Sequence, residues 1–87
     1  MDEQELRDCL LAAFEPFVRG FCKEADVASL AIEVHDDRID ADVTLSADDF
    51  QNIAGDVLVA SALKQAFSAL CRANDLTRGA SLAFKKR

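Results

Sequence analysis

The stretch SLAIEVHDDRIDADVTL, residues 29–45, decides the fold. Leu30, Ile32 and Val34 alternate with Ala31, Glu33 and His35, and Ile39, Ala41, Val43 and Leu45 alternate with Asp40, Asp42 and Thr44. A period of two places one set of side chains on each face of a strand, so both runs read as half-buried strands. Between them Asp36-Asp37-Arg38 allows only a tight connection, which makes the pair an antiparallel hairpin. Setting Val34 opposite Ile39 keeps every apolar residue on one face, with Ile32 against Ala41 and Leu30 against Val43. That register also sets Glu33 against Asp40 on the solvent face, a mildly unfavourable like-charge pair. The alternative, Val34 opposite Ala41, brings His35 beside Asp40 but needs a longer loop.

Upstream, Leu6, Cys9, Leu10, Ala13, Phe14, Phe17 and Phe21 step by three and four, predicting a helix from Glu3 to about Glu24. Pro16 removes a backbone donor within it and is expected to kink it near Ala12 to Pro16. Downstream, Ser46 followed three residues later by Asp49 resembles a capping box, so a helix starts at Ala47. An unbroken helix to Asn74 would carry two apolar stripes roughly 150° apart, which one sheet cannot cover. Gly55-Asp56 supplies the break, read as a left-handed glycine C-cap followed by an Asp N-cap. The helices are expected at 47–54 and 57–74. Leu82 and Phe84 alternate within Ala80 to Lys86, the closing strand.

The order is therefore α-β-β-α-α-β in a single compact domain spanning residues 1–87, an α+β fold with a three-stranded, mostly antiparallel sheet and helices on one face. The first strand is expected in the middle, with the closing strand antiparallel to it. This order resembles that of type II KH domains and of the iron-sulfur scaffold domains related to the NifU C-terminus. A KH domain needs a Gly-x-x-Gly loop between its helices to approach nucleic-acid phosphates; here the junction reads Asn52-Ile53-Ala54-Gly55-Asp56-Val57. The scaffold family needs Cys-x-x-Cys where this chain has Asp48-Asp49-Phe50-Gln51. Neither activity carries over.

Charge is the most informative feature for function. The net charge is −6, distributed as −4 over residues 1–28, −7 over 33–56 and +5 over 57–87. The central acids Glu33, Asp36, Asp37, Asp40, Asp42, Asp48 and Asp49 form a candidate docking surface for a protein partner with a basic surface. Solvation, helix capping and edge protection are the structural account of the same residues. Arg72, Arg78, Lys85, Lys86 and Arg87 read as a solubilising basic end, since Phe84 is the only aromatic among them and belongs to the core pattern.

Cys9, Cys22 and Cys71 are odd in number, lie singly within predicted helices and are expected to be buried or half-buried free thiols. No metal or cofactor is expected. His35 has Asp36 and Asp37 beside it in sequence but no visible nucleophile or pocket, so the chain is not expected to be an enzyme. Met1 to Glu5 is acidic and no membrane-length apolar run follows, which points to a cytoplasmic protein. The expected function is a small non-enzymatic interaction module, an adaptor, inhibitor or chaperone-like protein, presenting the acidic hairpin or a free sheet edge, with a homodimer as one outcome. The alternatives are an acidic nucleic-acid mimic that inhibits a nucleic-acid-binding enzyme and a degenerate KH-like RNA binder. The second meets repulsion between phosphate and the net negative charge, so nucleic acid is a disfavoured partner.

Overall fold

The computed structural model describes residues 2–23 and 29–87. Its elements are α1 (Glu3–Arg19), β1 (Ser29–Val34), β2 (Arg38–Leu45), α2 (Ala47–Ile53), α3 (Val57–Asn74) and β3 (Gly79–Lys86). The sheet is mixed, in the order β1-β2-β3, and the fold is α+β.

The hairpin takes the register with Val34 opposite Ile39 and Glu33 opposite Asp40. His35 N–H donates to the Arg38 carbonyl at 2.8 Å, closing a tight turn over Asp36 and Asp37.

The strand order corrects the sequence expectation: β2, not β1, is central, and β3 runs parallel to β2. The eight-residue β2 partners all eight residues of β3, where β1 would offer only six; the helices set the direction of β3, which is the same in either order. The eighteen residues of α3 return the chain by about 27 Å at 1.5 Å per residue. This matches the roughly 26 Å of the eight-residue β2 at 3.3 Å per residue. Seven-residue α2 serves as the corner between them, so β3 begins at the end where β2 began. Ala41 then lies beside Leu82 and Val43 beside Phe84, which continues the apolar face across all three strands.

Helices cover that face. Leu6, Leu10, Phe14 and Val18 of α1 and Leu63, Phe67 and Cys71 of α3 are buried against Ile32, Ile39, Ala41, Val43, Leu45 and Leu82. Phe14 meets Phe67 with ring centroids 5.1 Å apart, and Ile53 of α2 closes the core. Truncating either ring to Ala would cost about 3–5 kcal/mol, a large fraction of what a domain of this size has.

Two boundaries differ from expectation. α1 stops at Arg19, five residues short of Glu24: beyond it Phe21 N–H donates to Val18 O and Cys22 N–H to Arg19 O, the tighter spacing that ends a helix. The expected tail at Glu24 lies outside the described residues. The helix is continuous through Pro16. Gly55 is not left-handed, and α2 ends on Ala54 in ordinary helical geometry. Gly55 is needed for space instead, because a Cβ there would sit 2.4 Å from the Gln51 carbonyl oxygen. The caps Ser46 and Asp56 behave as expected. Ser46 Oγ accepts from Asp49 N–H, and Asp56 accepts from Leu58 and Val59 N–H.

Candidate interaction surface

With α1 and α3 on one side, the described residues leave the other face of the sheet uncovered, and its centre is acidic. The outward side chains of β2 are Arg38, Asp40, Asp42 and Thr44. Those of β1 are Ser29, Ala31 and Glu33, and those of β3 are the small Gly79, Ser81 and Ala83 followed by Lys85. Asp42 stands between the small Ala31 and Ala83, while Asp40 has Glu33 on one side and the small Ser81 on the other.

The charges on this face are partly self-paired. His35 Nε2 lies 3.4 Å from Glu33 Oε2 and 3.2 Å from Asp40 Oδ2, a charged contact only when the imidazole is protonated. Arg38 Nε donates to the same Asp40 oxygen at 3.0 Å and Nη1 reaches Asp37 at 3.5 Å. Asp40 thereby holds the Arg38 guanidinium above its already high pKa, first through the hydrogen bond and then through charge. These contacts answer the like-charge pair predicted from the register, since His35 lies between Glu33 and Asp40 and Arg38 pairs with Asp40. Lys85 Nζ meets Asp42 Oδ2 at 3.2 Å across the strand boundary. Being exposed, such pairs fix geometry more than they stabilise.

Of the seven candidate residues, Glu33, Asp40 and Asp42 share the open face, Asp36 and Asp37 form its turn, and Asp48 is exposed in the first turn of α2. Asp49 is the correction. Only 1% of it is exposed, and its Oδ1 accepts the Lys23 backbone N–H at 3.0 Å, tying the chain after α1 to the start of α2. A surface partner does not reach it.

Arg78, read from the sequence as part of a basic end, is a structural clamp. It pairs with Asp75, its Nε donates to the His35 carbonyl at 2.7 Å, and Nη2 reaches Glu3 Oε1 at 3.5 Å. One guanidinium joins the N-terminus of α1, the loop after α3 and the hairpin turn. Asp75 also accepts from Thr77 Oγ1 and N–H at 2.6 and 2.8 Å. Those bonds, with a smaller share from Arg78, hold its carboxyl at about 2.

Shallow depressions lie among the described residues. One is lined by Asp8, Leu11, Ala12, Glu15 and Pro16, another by Gln51, Asn52, Gly55, Asp56 and Val57; His35 lines neither. The second lies where a KH domain would carry its glycine loop, and there the Asp56 carboxylate caps α3. The three cysteines are free, with Cys9 exposed, Cys22 half-buried beyond the end of α1 and Cys71 buried in α3. Cys9 thus departs from the expected burial and Cys22 from the expected helix. Burial, then the nearby Asp75, pushes the Cys71 thiol to about 11; burial and Asp49 raise Cys22 against a smaller opposing effect of Arg19. Both are held as thiols rather than reactive thiolates. Among the described residues no three of His, Cys, Asp and Glu converge as a metal-binding group, and no single helix is long and apolar enough to cross a membrane.

Fold and surface together define a small α+β domain with helices on one sheet face and a polar, carboxylate-centred open face on the other. Comparison of the chain with protein-family models, with curated proteins and with solved structures finds no match.

Proposed function

We propose that the protein is a non-enzymatic interaction module whose open hairpin face docks a protein partner with a basic surface. The observation that supports this reading is the uncovered sheet face, where Glu33, Asp40 and Asp42 lie together with the small Ala31, Ser81 and Ala83 and where Asp36 and Asp37 are exposed in the turn. Clustered carboxylates on a rigid sheet steer a basic partner during encounter, and exposed Ala31, Ser81 and Ala83 let a flat surface approach closely.

The immobilised chain is expected to capture from its source cell a protein whose bound surface is basic, with capture weakening as salt rises. The combined variant Asp36→Asn, Asp37→Asn, Asp40→Asn, Asp42→Asn should retain the helix and sheet signal in circular dichroism and reduce capture by at least about tenfold. Capture that is indifferent to both the variant and the salt overturns the reading.

A further inference from the structure

The outer edge of β3 is a strand template left open. Gly79 N–H donates to Asp37 O and Arg87 N–H to Leu45 O, each at 3.0 Å, on the side facing β2. The alternation of a parallel ladder turns the peptide groups of Gly79, Ser81, Ala83 and Lys85 toward β2, and those of Ala80, Leu82, Phe84 and Lys86 away from it. Among the described residues no strand meets these outward groups. From Gly79 to Phe84 the edge carries no charge, no Pro and an uninterrupted register, so it lacks the devices that ordinarily blunt an edge. Its helix-side flank is apolar, with Ala80 exposed and Phe84 half-buried.

We propose that the occupant of this edge is β3 of a second copy, running antiparallel about a twofold axis near Leu82 to Phe84 and joining two three-stranded sheets into one of six strands. The charge pattern selects both the partner and the direction. β3 starts beside the acidic turn, where Gly79 is bonded to Asp37, and ends in Lys85, Lys86 and Arg87. Antiparallel pairing of two copies lays each basic end against the other copy's strand start at Gly79, two strand spacings or about 10 Å from Asp36 and Asp37, which lie beyond it on the β2 side. Parallel pairing would stack the basic ends on each other. On the open face the residues nearest the axis are Ser81 and Ala83, too small to obstruct the join, while Ala80 and Phe84 gain cover on the other. The inference does not rest on the hairpin face docking a partner.

Sedimentation of the full chain is expected to give twice the monomer mass of 9.5 kDa, returning to the monomer on dilution and in salt. Ala80→Pro removes an outward N–H that β2 does not use, and should abolish the dimer while leaving capture of a basic protein unchanged. Reversing Lys85, Lys86 and Arg87 to Glu should weaken association by about tenfold, and adding Asp36→Lys with Asp37→Lys should restore it. The unmodified chain provides a check free of any folding defect. Amide exchange at Leu82, Phe84 and Lys86 should slow with rising protein concentration, whereas Ser81, Ala83 and Lys85 should be protected throughout. A monomer at every soluble concentration, or outward amides whose exchange ignores concentration, overturns the proposal. So does protection of those amides only on adding a different protein.

Discussion

Asp75 and Thr77 form a pH-sensitive joint at the entry to β3. The folded carboxyl titrates near 2 and the unfolded one near the ordinary Asp value, about 3.9. Because the folded pKa is depressed, this contribution to stability is complete above about pH 5 and is lost as pH falls through 4 toward 2. Thr77→Val removes the largest cause of the depression, so the Asp75 titration followed by carboxyl NMR should move upward and the acid loss of stability should begin at higher pH. The sequence offered the acid, the Thr and the Arg within four positions, but the depression needs the Asx-type turn that brings them onto one carboxylate. Asp49 was illegible for a related reason. Its partner is a backbone N–H twenty-six residues earlier, and no local pattern announces such a contact.

At the scale of elements, the two glycines next to helices make opposite predictions. Gly20 follows α1 with helical φ and ψ, and a Cβ there would come no closer than 3.4 Å to the Phe17 carbonyl oxygen. Gly20→Ala should therefore stabilise by about 0.5 kcal/mol by restricting the unfolded chain. Gly55→Ala, whose Cβ would collide with Gln51 O at 2.4 Å, should destabilise by more than about 1 kcal/mol. Urea unfolding of both variants measures the contrast. The break at Gly55-Asp56 was legible from the misaligned apolar stripes, but not the conformation of Gly55, which depends on how closely the chain passes the Gln51 carbonyl. Which face of each hairpin strand is buried was also legible, but the register was not: setting Val34 opposite Ala41 keeps the same face, and the tight turn closed by His35 N–H on the Arg38 carbonyl decides between the two.

Across the whole molecule, Arg78 holds parts that are far apart in sequence, reaching Glu3, Asp75 and the His35 carbonyl with its side chain only 19% exposed. Arg78→Ala should destabilise by about 2 kcal/mol, and Arg78→Lys should recover only part because an ammonium cannot span the three acceptors in one plane. Chemical denaturation of the two variants tests this. Neither the clamp nor the strand order could be read from period and composition, since both follow from where α3 returns the chain. The helix lengths held only the direction of β3, which is the same in either order; the eight residues of β2 against the six of β1 favour β2 as its neighbour.

The parallel seam between β2 and β3 also governs how the chain folds. Its first pair, Arg38 with Gly79, joins residues 41 positions apart, whereas the hairpin closes between neighbours. The hairpin can form in microseconds by itself, but the central strand acquires its second partner only after both helices have turned the corner. The rate-limiting search is therefore the closure of that long crossover. Until it ends, β2 offers a bare edge carrying Ile39, Val43 and Leu45, and this interval, rather than the finished fold, is when the chain is most exposed to aggregation.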